Sequence, residues 1–261
     1  MVNINQEKCN GCGLCAGDCP AKIIDVQNKK AVLLQSTCIR CGHCLAICPQ
    51  NAITIDEYDM DEIYDYDFNN VHLDSQELLK SLQCRRSVRR YKKKPVEKEI
   101  IEKIIEAGRY TPSGSNRQNV SYIVVEKDIP FLEKEGLKVY KRIFNIPKFI
   151  KKLVKFPFNM DRMVLEEGFL FMGGPALILV ISENANNAAL ASMSMELMAE
   201  SLGLGTLYVG LFTRVANKNK KIRKFLELKK NENIVQCLVI GYPDVKYYRT
   251  APKKKPMVQW R

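Results

Sequence analysis

The sequence predicts an α+β protein of two domains, and three observations support this fold class. Eight of the ten cysteines fall within residues 1–56. An acidic segment follows at 57–74, with seven Asp or Glu residues and no Lys or Arg. Strand-like apolar runs and long amphipathic helices alternate over residues 75–261, a pattern typical of layered mixed folds. We therefore expect a small cysteine-rich domain at 1–56, an acidic connector at 57–74 and a larger sheet-and-helix domain at 75–261.

The eight N-terminal cysteines form two copies of one pattern. In each copy three cysteines are separated by two residues, and a fourth cysteine precedes a proline. The copies are Cys9, Cys12, Cys15 and Cys19, then Cys38, Cys41, Cys44 and Cys48. Three such thiolates can hold three corners of an iron–sulfur cube, while the fourth binds the other cluster. Disulfides suit exported chains, and no export signal is expected here. Zinc sites favour pairs of cysteines and do not call for a third cysteine three residues later.

This rule predicts two crossed ligand sets. Cluster one takes Cys9, Cys12, Cys15 and Cys48, and cluster two takes Cys38, Cys41, Cys44 and Cys19. The repeat resembles the bacterial two-cluster ferredoxins over residues 1–56, with all eight ligands matching. The resemblance implies two 4Fe–4S clusters that transfer electrons. The two remaining cysteines are Cys84 and Cys237, and the second lies in an apolar run that predicts a buried strand.

Residues 75–261 predict helices alternating with buried strands. Apolar residues three and four apart indicate the helices, and short continuous apolar runs indicate the strands. Helices are expected at 74–83, 97–108 and 185–202, and strands at 120–125, 176–181 and 234–240. Residues 128–172, rich in Phe and Lys, are expected to form a helical lid.

An arginine-rich run follows the first of these helices. It contains Arg85, Arg86, Ser87 and Arg89 within five residues. Guanidinium groups bind phosphate through paired donors, so this run is a candidate phosphate site. Further motifs follow in order at 107–118, 203–210 and 241–256.

The order and spacing of these motifs resemble the nitroreductase superfamily over about residues 75–261. The resemblance implies an intertwined homodimer, with FMN held at the interface of its subunits. It also implies the cofactor-binding residues: Arg85, Arg86, Ser87 and Arg89 at the phosphate, Pro112, Ser113 and Asn116 from the partner subunit, the backbone at Val209 and Gly210 beside the flavin ring, and Lys254 and Lys255 returning to the phosphate. No catalytic side chain is predicted, because the flavin carries the chemistry.

The larger predicted domain is strongly basic, which bears on the molecules that it could bind. Residues 75–261 hold 36 Lys or Arg and 18 Asp or Glu. This balance could suit nucleic acid, an anionic membrane face, acidic protein partners or anionic cofactors, and no nucleic-acid recognition motif accompanies it. The longest uncharged apolar run, 168–182, is shorter than the roughly 20 residues of a spanning helix, so we expect no membrane span. The N-terminus has no basic-then-apolar pattern, so we expect a cytoplasmic protein.

Together these features predict an enzyme, an iron–sulfur flavoprotein oxidoreductase. The leading hypothesis is that two 4Fe–4S clusters pass electrons to FMN, which reduces a small electrophile such as a nitro, quinone or enone compound. One alternative is transfer in the reverse direction, from NAD(P)H to the clusters. Another is a non-catalytic redox sensor or electron carrier. The sequence leaves open the physiological substrate, the electron donor, which is a redox protein or NAD(P)H, and whether the connector docks or only tethers.

Overall fold

A computed structural model describes residues 1–35, 37–67, 69–144 and 164–261. Over these residues the chain forms two compact units. The first holds residues 1–73 and 113–117, and the second holds residues 74–112 and 118–261. The sequence places 113–117 in the second domain, whereas the contacts of this segment place it in the first unit. Residues 145–163 of the expected lid lie outside the described residues.

The first unit is built from two similar halves. Its elements are β1 (Val2–Ile4), α1 (Leu14–Asp18), β2 (Ile24–Gln27), β3 (Lys30–Leu33), α2 (His43–Ala46) and β4 (Ile53–Ile55). Strand β1 pairs antiparallel with β4, and β2 pairs antiparallel with β3. Each helix buries the third cysteine of its repeat, Cys15 in α1 and Cys44 in α2. The duplicated sequence therefore folds as two equivalent helical turns joined by short strands.

The second unit contains a sheet with helices on both faces. Its elements are α3 (Ser75–Cys84), α4 (Lys98–Arg109), β5 (Val120–Val125), α5 (Ile129–Phe144), β6 (Ala176–Ser182), α6 (Ala185–Ser201), β7 (Gly205–Tyr208), α7 (Gly210–Ala216), α8 (Lys220–Phe225) and β8 (Asn233–Gly241). In the described residues four strands form this sheet, in the order β5-β6-β8-β7, and each neighbouring pair is antiparallel. The expected α+β class is confirmed, and each predicted helix and strand outside the lid agrees with these bounds to within one residue at either end.

Strand β6 lies at the centre of the hydrophobic core. Its successive side chains point to opposite faces of the sheet. Leu177 and Leu179 pack into a cluster with residues of α5, α7 and α8, while Ile178 and Val180 pack into another with residues of α4 and α6. Every residue of β6 is buried, because helices cover both faces. A strand covered on both faces needs no polar alternation, which explains the continuous apolar run in the sequence.

Two segments of the second unit leave apolar side chains in solvent. Asp74 caps helix α3, and its carboxylate accepts hydrogen bonds from two backbone N–H groups of the first turn. None of the ten residues of this helix is buried. The exposed apolar residues are Leu78, Leu79 and Leu82 on α3, and Met257, Val258 and Trp260 near the C-terminus. A ten-residue helix gains most of its stability from packing, and α3 gains little from the parts of this chain that the structure describes.

None of the helices in the described parts of the chain combines the length and the apolar character that a membrane crossing requires.

Candidate functional site

Two cavities in the first unit are each lined by four cysteines. The first cavity is lined by Cys19, Cys38, Cys41 and Cys44, and the second by Cys9, Cys12, Cys15 and Cys48. Each cavity takes its fourth cysteine from the other repeat, which is the crossed grouping that the sequence predicts. Among the described residues, no three His, Cys, Asp or Glu side chains converge as ligands of a single metal ion. The cavities instead suit a cluster, whose thiolates lie at separate corners of a cube.

Backbone N–H groups are directed at the cysteine sulfurs. The N–H of Ala31 donates to Sγ of Cys9 at 3.3 Å, and the N–H of Arg40 donates to Sγ of Cys38 at 3.2 Å. The bond from Ala31 lowers the pKa of the Cys9 thiol. Donors of this kind stabilise negative charge on sulfur, so the backbone fits the thiolates of an iron–sulfur cluster.

In the two short helices burial opposes the effect of such backbone donors on the pKa of the cysteines. It raises the pKa of Cys15, and it raises the pKa of Cys44 to about 11. Burial thus disfavours the charged thiolate at both positions, whereas binding to iron requires the deprotonated form. Burial also raises the pKa of Cys237 in β8, which fits the core thiol that the sequence predicts.

In the second unit, residues 85–89 lie along the edge of the sheet at β7. The N–H of Val88 donates to the carbonyl of Thr206 at 2.8 Å, and Ser87 forms a parallel bridge with Thr206. A Cβ on Gly205 would lie 2.5 Å from Cγ2 of Val88, so glycine permits this close approach. The sheet edge thus fixes the backbone of the predicted phosphate site.

The three arginines of this run have different surroundings. Nη1 of Arg85 lies 2.7 Å from Oε1 of the buried Glu196 in α6. The guanidinium of Arg86 lies 5.1 Å from the ring centre of Tyr247, and Arg89 is exposed. A buried carboxylate needs its partner, so Arg85 is held toward the protein. Arg86 and Arg89 are better placed to meet an anion from solvent.

Sequence reasoning missed the acidic residues that accompany Arg85. Glu196 also accepts a hydrogen bond from Oγ1 of Thr206 at 3.1 Å. One turn along α6, Oε2 of Glu200 is buried and has no hydrogen-bond partner in the described parts of the chain. Burial, and then the charge of Glu196, raise the pKa of Glu200. The signal in the sequence was a pair of glutamates in an otherwise uncharged helix.

The predicted contacts to the flavin ring lie at the start of α7. Val209 is buried, and its N–H donates to the carbonyl of Cys237 at 2.8 Å. Gly210 is exposed, and a Cβ placed on it would meet no atom within 4 Å. The backbone at Gly210 is therefore open to a ligand, and the first N–H groups of a helix have no partner within the helix.

The remaining predicted contacts are not assembled around residues 85–89 in a single chain. Pro112, Lys254 and Lys255 are exposed, and within the described residues no hydrogen bond or ion pair joins them to that run. Ser113 and Asn116 belong to the first unit. Nδ2 of Asn116 donates to the carbonyls of two residues between Cys38 and Cys41. That placement could not be seen in the sequence, since these residues lie more than 70 positions apart.

Two protein-family models match the sequence of this chain. Residues 82–242 match the model of the nitroreductase family, and residues 1–49 match that of a 4Fe-4S dicluster domain. An FMN reductase [NAD(P)H] of Bacillus subtilis is 32% identical over 176 residues, 64% of this chain and 66% of that protein. The chain therefore spans just under two thirds of that relative. An iodotyrosine deiodinase of Hydra vulgaris is 27% identical over 195 residues, 68% of this chain and 69% of that protein.

A solved structure supports the same fold. The crystal structure of a nitroreductase with bound FMN from Bacteroides fragilis superposes with a TM-score of 0.56 at 20% identity, and the match covers 71% of this chain and 99% of that chain. At this identity the match shows the fold alone. The family match itself covers more than half of the sequence. The chain therefore belongs to the nitroreductase family, and a 4Fe–4S dicluster ferredoxin domain is fused to the N-terminal side of its family domain.

Proposed function

We propose that this protein is an oxidoreductase in which electrons pass from two 4Fe–4S clusters to FMN and from FMN to a small electrophilic acceptor. The observation that carries the proposal is the pair of four-cysteine cavities in a chain that also has the nitroreductase fold. A reduced cluster gives up one electron, so two clusters provide the pair that a nitro, quinone or enone compound takes up with two protons. Bound FMN supplies the change between one-electron and two-electron transfer.

The residues of this chain would bind and orient the flavin. Ser87, Arg86 and Arg89 would hold its phosphate, since the edge of β7 fixes the backbone of this run, Arg89 is exposed and Arg86 lies over the ring of Tyr247. The open backbone at Gly210 would lie beside the ring. The names of the Bacillus relative and of the Bacteroides structure, both of which mention FMN, support this choice of cofactor.

Replacing Arg89 by alanine is expected to weaken FMN binding while leaving iron content unchanged. The loss of one charge-assisted hydrogen bond to a phosphate costs about 2 kcal/mol, or about thirtyfold in Kd. Fluorescence titration of flavin-free protein with FMN measures this change. Arg90→Ala is the matched control, because it removes the same charge from the adjacent exposed position. Equal affinities in the two variants would exclude Arg89 from the phosphate site.

We also propose that the working form is a homodimer. The support is the apolar face of α3, which buries none of its residues, and the exposed apolar side chains near the C-terminus. Exposed apolar side chains that share one helix face, as Leu78, Leu79 and Leu82 do, suit an interaction site. A second copy of the chain would cover both segments and bring Pro112 and Ser113 to the flavin of its neighbour, as the resemblance implies.

Replacing Leu78 and Leu82 together by aspartate is expected to produce a monomer that loses FMN. Two charges on the apolar face of α3 would have to be desolvated in the interface, which is unfavourable. Sedimentation at micromolar concentration measures the association, and absorbance at the flavin band measures retention. Lys80→Asp on the opposite face of α3 is the control and should remain dimeric. A parent protein that is monomeric and still holds FMN would rule out the shared site.

A second candidate function is electron transfer in the reverse direction, from NAD(P)H through FMN to the clusters and a protein acceptor. It is favoured by the similarity to the FMN reductase [NAD(P)H] of Bacillus subtilis. Anaerobic stopped-flow reduction with NADH, NADPH or a reduced ferredoxin separates the two directions. If the absorbance of the clusters bleaches before that of the flavin, electrons enter at the clusters. If the flavin absorbance bleaches first, electrons flow in the reverse direction.

A further inference from the structure

Residues 113–117 supply a hydrogen-bond donor to the loop between Cys38 and Cys41. By its contacts this segment belongs to the first unit, although the chain on either side belongs to the second. Nδ2 of Asn116 donates to the carbonyl of Arg40 at 2.8 Å and to that of Ile39 at 3.2 Å. These carbonyls lie between Cys38 and Cys41, two of the cysteines that line the first cavity. Asn116 therefore holds the loop on which the predicted ligands of the second cluster are carried.

One of these bonds continues to a cysteine sulfur. The carbonyl of Ile39 and the N–H of Arg40 belong to the same peptide group. That N–H donates to Sγ of Cys38 at 3.2 Å. A single peptide group thus separates the amide of Asn116 from a predicted ligand. Hydrogen bonds in such a chain polarise one another, so the donor at the carbonyl strengthens the N–H bond to sulfur.

The loop of the second cluster also needs support that the loop of the first cluster does not. Arg40 has a φ of 53°, in the left-handed region, and the equivalent position in the first repeat is Gly11 with a φ of 72°. Glycine adopts this conformation without strain, whereas arginine does so only where its surroundings hold it. The hydroxyl of Tyr58 donates to the carbonyl of Arg40 at 2.9 Å, and its oxygen lies 3.2 Å from Nδ2 of Asn116, which shares its two hydrogens among three acceptors. Asn116 and Tyr58 together hold the strained residue.

The first cluster is supported in a different way. Nζ of Lys30 donates to the carbonyl of Cys9 at 2.6 Å, so the donor comes from within the repeat. The carbonyl of Lys29 lies so close to Gly11 that a Cβ there would be 2.2 Å away. The two repeats are alike in their cysteines and differ in their supporting donors. The donor that comes from 113–117 acts on the second cluster.

We propose that Asn116 is a positioning residue for the second cluster, and that its donor raises the reduction potential of that cluster without affecting the first. Hydrogen bonds to sulfur favour the reduced, more negative cluster, so the donor raises the potential. Reduction adds one electron to the cluster, and no bond is formed or broken. That the cavity holds a 4Fe–4S cluster rests on the proposed function.

Asn116→Asp tests the proposal with the least change in shape, since it removes the amide donor and keeps the size of the side chain. Asn116→Ala is the second variant, and Lys30→Met is the matched control at the first cluster. We expect the potential of the second cluster to become more negative in both Asn116 variants, with the first unchanged. Lys30→Met should shift the first cluster alone. Redox titration followed by electron paramagnetic resonance measures each potential, and amide hydrogen exchange at residues 38–42 should become faster in the Asn116 variants.

Two outcomes separate this proposal from the proposed function. If neither potential changes in the Asn116 variants, or both change together, Asn116 has no specific role at the second cluster. If the parent protein shows no transfer from clusters to FMN after rapid photochemical reduction, the proposed function fails, even where the potentials shift as expected.

Discussion

Protein assembled without oxygen is expected to contain about eight iron and eight sulfide ions per chain, and replacing Cys41 and Cys44 together by alanine should leave about four of each. Both cysteines line the same cavity, so their loss removes half of one ligand set and leaves the other complete. Chemical determination of iron and acid-labile sulfide gives the numbers. Cys84→Ala is the control and should retain all eight, since Cys84 is an exposed residue of α3.

The crossed grouping can be tested separately with pairs of single replacements. Cys19 and Cys44 line one cavity, although they come from different repeats, so Cys19→Ala with Cys44→Ala should leave about four irons. Cys15 and Cys19 come from the same repeat and line different cavities. Cys15→Ala with Cys19→Ala should therefore leave almost no iron. The reverse order of iron contents would show that each repeat holds its own cluster.

Loss of the second cluster is expected to abolish reduction of the flavin by a one-electron protein donor. In the variant with Cys41→Ala and Cys44→Ala, electrons from a reduced ferredoxin would have no complete route to FMN. Flavin reduced directly by dithionite should still be reoxidised by a small quinone at the parent rate, since residues 85–89 and Gly210 are unchanged. Stopped-flow absorbance under anaerobic conditions follows both reactions in the same preparation.

Comparison of the variants that lack the first or the second cluster identifies the cluster from which electrons pass to FMN. Cys12→Ala with Cys15→Ala removes the first cluster and keeps the loop that Asn116 contacts. If the second cluster is adjacent to the flavin in the transfer sequence, this variant should retain part of the protein-donor rate. Equal rates of flavin reduction in the parent and in both cluster variants would mean that the clusters do not transfer electrons to the flavin.

Local patterns allowed much of the fold to be predicted. The spacing of the cysteines, the continuous run of β6 and the helical spacing of α4 depend on residues close together in the sequence, and these elements agree with the structure. Strand β7 and the short helices α7 and α8 were not predicted as elements. They contain four, seven and six residues, too few for a periodic pattern to be distinguished from a turn.

The parts of the site that escaped prediction depend on contacts between distant residues. Arg85 and Glu196 are 111 positions apart, and Asn116 and Arg40 are 76 apart. An arginine in a loop is an equally good candidate for phosphate binding whether or not a buried carboxylate holds it. The difference depends on tertiary packing of α6 against residues 85–89, and no local property of the sequence encodes it. Composition and spacing therefore identified candidate groups, while the contacts of those groups are visible only in the structure.

The strand order of the sheet has a consequence for synthesis of the chain. Strand β8 (Asn233–Gly241) pairs with both β6 and β7, yet it is the last of the strands in chain order. Until it leaves the ribosome, the apolar strand β6 lacks one neighbour, and residues 183–232 are made in between. An unpaired apolar strand edge is a template for association with other chains. A chain that ends before residue 233 would therefore expose this strand edge and be prone to aggregate.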